Sequence, residues 1–205
     1  MQLMKSVCVY CGSGPGRDPQ HEASAKTLGR LMAENGVELV YGGGGNGLMG
    51  TVARSVLENG GKVVGIIPEF LVRRESMLET VQEHIVVEDM HTRKRLMFER
   101  ADGFIALPGG IGTLEELVEQ LTWAQLGRHH KPIMIANVGG YWDPLLAMFE
   151  HMTAHAFIRE SLWVPYLVAE RIEDVLPAME DAAEQVLDEG MEPKRSVAGT
   201  PMGRM

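Results

Sequence analysis

Three short stretches carry residue types and spacings able to do chemistry. In PGGIGTLEE (108–116), a proline and three glycines lead into Thr113 and two adjacent carboxylates, Glu115 and Glu116. In DMHTRKRLMFER (89–100), Arg93, Lys94, Arg95 and Arg100 share one expected helix. In YGGGGNGLMG (41–50), two copies of G-x-G-x-x-G overlap, one through Gly42, Gly44 and Gly47 and the other through Gly45, Gly47 and Gly50. Glycine-rich turns that open helices present backbone N–H groups and a positive dipole end, which suits an oxyanion. A carboxylate and a guanidinium beside such a site could stabilise charges of opposite sign in one bound molecule.

Each motif also has a plainer reading. Thr113 and Glu116 have the spacing of a capping box at a helix start, which would occupy both side chains. Four glycines and a proline within GFIALPGGIGT exceed what a helix start needs, and Glu115 adds a second carboxylate beside the anion site. Residues 93, 96, 97 and 100 share a helical face, so an arginine there can pack by its stem and be solvated at its tip. That description suits Arg95 and Arg100. Arg93 is nearest the helix start, and so nearest the ligand edge of a sheet.

The glycine fingerprint by itself suggests a dinucleotide, with Glu69 lying 19 residues past Gly50 as a ribose ligand. A dinucleotide enzyme places that fingerprint on its first strand, whereas here it follows the second. The NAD(P)-dependent oxidoreductase reading also leaves PGGIGT and Arg93 without a task. A non-catalytic protein that binds AMP-like nucleotides is a further alternative.

The elements that must position these residues alternate. Strands are expected at 5–12, 37–43, 62–68, 84–88, 103–110, 131–140 and 161–165. Helices are expected near 20–35, 48–59, 90–102 (capped by Asp89), 113–127, 142–156 and 171–188, with 69–83 irregular. Short apolar strands separated by helices imply an α/β fold: a single-domain, doubly wound parallel sheet, Rossmann-like, with helices on both faces. Ligands of such sheets sit beyond the carboxyl ends of the strands. Three of these ends are glycine-rich, at CGSGPG (11–16), GGGGNG (42–47) and PGGIGT (108–113). The nucleotide-binding domain is expected over 1–188 and a disordered tail over 189–205.

The chain has 205 residues and a net charge of −9, which argues against nucleic acid and anionic membranes as partners. It has no long apolar run at its start, and a cytoplasmic protein is expected. Cys8 and Cys11 are its two cysteines, and they fall in and at the end of a strand. Buried structural thiols are expected there rather than a redox pair. No metal site is expected. His151 and His155 are spaced i, i+4 but lack the interleaved glutamate of a zinc-binding helix.

YGGGGNGLMG, MHTRK and PGGIGTLEE, occurring in that order along the chain as in the family, resemble the LONELY GUY (LOG) family of cytokinin riboside 5′-monophosphate phosphoribohydrolases, long labelled possible lysine decarboxylases. The resemblance runs from about Val7 to about Val168. It implies hydrolysis of the N-glycosidic bond of N6-substituted AMP, and in many bacterial members of AMP itself, giving free base and ribose 5-phosphate without a cofactor. It also implies a catalytic pair, Arg93 and Glu116. Substrate contacts would come from Glu75, Met90, Lys94, Gly109, Gly110, Ile111, Gly112, Thr113 and Thr122, with Gly12, Ser13, Gly43, Gly44 and Gly45 supporting the phosphate or the loops. A homodimer with shared active sites is implied. The old label would instead need a lysine for a pyridoxal Schiff base, and Lys94, beside the cation of Arg93, is the only candidate at the right edge.

Overall fold

Apolar residues, many of them β-branched, dominate Ser6–Tyr10 (β1), Glu38–Tyr41 (β2) and Val63–Pro68 (β3), and nearly every one is buried. Such runs suit strands covered on both faces. The computed structural model of the chain describes residues 2–72, 76–78, 80–158, 166–189 and 197–198. The other strands are Glu83–Val87 (β4), Gly103–Ala106 (β5), Ile133–Ala136 (β6), Leu167–Ala169 (β7) and Val197–Ala198 (β8). Together they form one sheet in the order β4-β3-β2-β1-β5-β6-β7-β8, and every pairing is parallel.

The helices are Pro19–Glu34 (α1), Gly47–Glu58 (α2), Glu69–Val72 (α3), Met90–Arg100 (α4), Ile111–Gln125 (α5), Asp143–Ala154 (α6) and Val175–Glu189 (α7). Two separate cores result. Leu28 and Met32 of α1, Val52 and Val56 of α2 and Met179 of α7 pack on one face. Met97 of α4, Leu117 and Leu121 of α5, and Leu145 and Phe149 of α6 pack on the other. The doubly wound arrangement follows, since each strand must be covered from above and below.

Chain order reverses between β1 and β5, whose residues pair as Val7 with Gly103 and Tyr10 with Ala106. The connections leave these two strands in opposite directions, and a crevice opens at their carboxyl ends. CGSGPG follows β1 and PGGIGT follows β5, so the reversal sets these two loops side by side.

Three expectations need correction. The segment after β3 is not wholly irregular, because Glu69–Val72 forms one helical turn. Helix α5 begins at Ile111, two residues earlier than expected, since Gly110 is its N-cap in extended conformation (φ −92°, ψ −158°). In the tail, expected to be disordered, Val197 and Ala198 pair with Val168 and Ala169. The strand expected at 161–165 lies outside the described residues, and the strand described nearby is β7.

Candidate active site

Asp89 caps α4 through its carboxylate, which accepts from the Thr92 N–H at 2.8 Å. This fixes Arg93 one turn into the helix, on the face turned to the sheet. Its side chain is 7% exposed. Burying a guanidinium requires acceptors, and the strand ends supply them. Arg93 Nε donates to the Ile66 carbonyl at 3.2 Å, and Nη2 donates to the Gly42 carbonyl at 3.3 Å. A β-carbon on Gly42 would collide with Arg93 Nη2. The first glycine of YGGGGNG is thus required by the arginine. Met90 closes the third side, with its sulfur 3.8 Å from Nη1.

Opposite lies Glu116, on the second turn of α5, 12% exposed and with Oε1 3.9 Å from Arg93 Nη1. That separation permits attraction without a close hydrogen bond. The capping role does not hold: Gly110 is the N-cap, no side chain caps α5, and Thr113 sits inside the helix, 4% exposed. Thr113 packs on Gly109, where a β-carbon would meet its hydroxyl. The backbone N–H groups of the first turn of α5 therefore have no side-chain cap, a geometry that suits an anion.

The second glycine loop behaves differently. The Gly12 carbonyl accepts from Leu48 N–H at 3.0 Å and Met49 N–H at 3.3 Å, so the start of α2 is occupied by protein. Gly12 N–H donates to the Pro108 carbonyl at 3.0 Å, which ties all three loops together. Gly45 N–H donates to the Ser76 carbonyl, and Gly44 bridges to Met77. The expectation of an anion site at α2 is corrected: Gly43, Gly44 and Gly45 support the loops, and the dinucleotide fingerprint has no open helix start. Glu69 is exposed at the start of α3.

A cleft of about 270 Å³ joins these groups, lined by Gly12 and Ser13, Met90 and Arg93, and Gly110 to Thr113 with Glu115 and Glu116. Sequence reasoning missed two of its other walls, Cys11 and Met49. Position at the end of β1 was the available signal for Cys11, and its buried, apolar strand context hid it. Cys8 and Cys11 are both free and buried, and burial pushes both thiols up, with Glu116 adding to the effect.

Other anticipated residues lie elsewhere. Lys94 does not line the cleft. Its ammonium binds Glu115 at 2.6 Å and Glu119 at 2.9 Å, bridging α4 to α5. Burial pulls its pKa down, but the two carboxylates outweigh this and hold it above the usual lysine value. That is the reverse of what a Schiff-base lysine needs. Thr122 is exposed on α5, and its hydroxyl donates to the Val118 carbonyl at 2.7 Å. Glu75 lies outside the described residues. Arg95 pairs with Glu99, and Arg100 with Glu83, both at the surface. The His151 and His155 rings lie 4.1 Å apart on an exposed stretch of α6.

The family model described as "Possible lysine decarboxylase" matches residues 49–179, more than half the chain and the whole of α4 and α5. The chain belongs to the LONELY GUY family. A cytokinin riboside 5′-monophosphate phosphoribohydrolase of Rhodococcoides fascians is 46% identical over 176 residues, covering 85% of this chain and 89% of that one. The rice protein named cytokinin riboside 5′-monophosphate phosphoribohydrolase LOG is 49% identical over 157 residues, covering 77% of this chain and 65% of that one. Among solved structures, the molybdenum cofactor carrier protein of Chlamydomonas reinhardtii aligns with a TM-score of 0.65 at 18% identity, covering 88% of this chain and 98% of that one. At that identity the likeness concerns the fold. It shows the LOG sheet serving a protein named for another ligand, so function must be argued from the site.

Proposed function

We propose that the chain hydrolyses the N-glycosidic bond of N6-substituted adenosine 5′-monophosphates, and of AMP, releasing the free base and ribose 5-phosphate. One observation carries the reading: a buried arginine and a largely buried glutamate meet at 3.9 Å in a cleft whose other wall is the uncapped start of α5. The names of the relatives in both organisms support it.

Breaking a ribosyl–purine bond builds positive charge on the sugar and negative charge on the departing base. The Glu116 carboxylate stabilises the cation, as carboxylates do at oxocarbenium-like transition states. It would act by charge, by orienting water, or by direct attack. Arg93 stabilises the departing base as a fixed cation while water delivers the proton. Its two carbonyl acceptors hold the guanidinium in place before substrate arrives, which is the preorganisation such catalysis needs. The N–H groups of Gly110, Ile111, Gly112 and Thr113 receive the 5′-phosphate, and Met90 lines the base end.

The same reading extends to a homodimer. Ile111, Val118 and Leu126 stand 82%, 40% and 71% exposed along α5, and Thr122 lies on the same stripe. Ile111 also borders the cleft, so a second copy on this stripe would complete the cleft wall. The two free cysteines fit a reducing compartment, the cytoplasm. Among the described residues no helix is long and apolar enough to cross a membrane.

The test is to incubate the purified protein with AMP and with isopentenyladenosine monophosphate and to look for free base by chromatography. Release of base from either supports the proposal. Tight binding with no base released would make the protein a nucleotide-binding protein instead.

A further inference from the structure

We propose that Tyr141 is a positioning residue that locks the Gly109–Gly110 peptide so that its N–H faces the cleft and its carbonyl faces away. The inference rests on the reading of the α5 start as the phosphate site. Tyr141 lies in the β6–α6 turn, a segment outside the three motifs discussed above.

The peptide between Gly109 and Gly110 is planar and trans, so its carbonyl and N–H point in opposite directions. Glycine on both sides leaves it little steric resistance to turning over. In the turned-over state a carbonyl oxygen would face the phosphate, replacing a donor with a repulsive acceptor. The Tyr141 hydroxyl donates to the Gly109 carbonyl at 2.5 Å, and neither Tyr141 nor Gly109 is among the residues lining the cleft, so this bond holds the oxygen on Tyr141's side of the peptide. Gly110 lines the cleft, so its N–H is the group so directed.

The turn that carries Tyr141 is built to hold it still. Asn137 is buried; its Nδ2 donates to Asp143 at 2.7 Å, and its Oδ1 accepts from the Trp142 N–H at 2.7 Å. The Tyr141 ring is braced on two sides, edge-on to His21 of α1 at 5.3 Å and to the buried Trp142 at 5.0 Å. These contacts leave its hydroxyl directed at Gly109. The ring itself is 39% exposed, so removing the hydroxyl leaves the core unchanged.

The experiment measures binding, not turnover. Inorganic phosphate, AMP and adenosine are titrated into the wild type and Tyr141→Phe, with melting curves as a check on folding. Loss of one hydrogen bond that orients a donor is expected to weaken phosphate and AMP by about threefold or more, leaving adenosine unchanged. A smaller change for AMP, or an equal change for adenosine, overturns the proposal. A wild type that binds neither phosphate nor AMP overturns it too. If the wild type binds AMP without cleaving it, the proposed hydrolysis fails while the lock is still judged by these titrations.

Discussion

Arg93 Nη1 and Glu116 Oε1 face each other at 3.9 Å, and both side chains are nearly buried. They come from different helices, separated by a whole strand, and meet because α4 and α5 pack on the same face of the sheet. If they form the catalytic pair, Glu116→Gln keeps the shape and removes the charge. The expected loss is on the order of 10²–10³ in kcat for release of base from AMP, with a melting temperature near that of the wild type. A folded Glu116→Gln protein with ordinary turnover would remove the carboxylate from the mechanism.

Gly42 gives a second prediction, because its missing side chain makes room for the Arg93 guanidinium. Gly42→Ala should expel that group from its carbonyl acceptors and lower kcat by about tenfold or more. Arg93→Lys should be no better than Arg93→Ala. A single ammonium does not reproduce the planar fork that reaches both the Ile66 and Gly42 carbonyls. Initial rates at saturating AMP compare the three variants. A lysine variant with wild-type rates would show that charge alone suffices.

Lys94 bears on the decarboxylase label. Its folded pKa is raised, so the stability it contributes is present below the ordinary lysine pKa of 10.5 and is lost as pH climbs through the higher folded value. The bridge to Glu115 and Glu119 should therefore persist through neutral and mildly alkaline pH. Pyridoxal phosphate with borohydride should leave no adduct on Lys94, read by mass spectrometry of the digested protein. A stoichiometric adduct there would reopen the label.

His129 predicts the acid limb of stability. It is buried, Nε2 donates to the Gln120 carbonyl at 3.2 Å, and Nδ1 accepts from the Lys131 N–H at 3.2 Å, which defines a neutral ring. Burial pushes its pKa down from 6.5 to about 4, and nearby Lys131, His130 and Arg128 act in the same direction. Between those values the unfolded chain binds the proton and the folded chain does not. Its contribution is complete above pH 6.5 and is lost as pH falls towards 4, by on the order of 3 kcal/mol. Urea melts of the wild type and His129→Gln from pH 7 to 4 should converge as the pH drops. Parallel curves would assign the acid limb to other groups.

Much of the architecture could be read from local pattern. Apolar runs such as KVVGIIP, the Asp89 cap and the alternation of strand and helix each depend on neighbours within a few residues, and the sheet followed from them. The PGGIGT loop and the MHTRK start of α4 marked the cleft for the same reason. The start of α5 was placed two residues late, because the Thr113–Glu116 spacing fits a capping box and sequence alone does not show Gly110 already capping the helix in extended conformation.

Only the tertiary structure decided which polar groups meet. The residue types determined by themselves that this chain forms a parallel sheet with glycine-rich ends, one basic helix and one carboxylate-bearing helix start. Packing decided that the α2 start is filled by the Gly12 carbonyl while the α5 start has no side-chain cap, that Gly42 accommodates Arg93, and that Lys94 turns to Glu119. These contacts join residues tens of positions apart. Their energies depend on distance and burial, which no local pattern encodes.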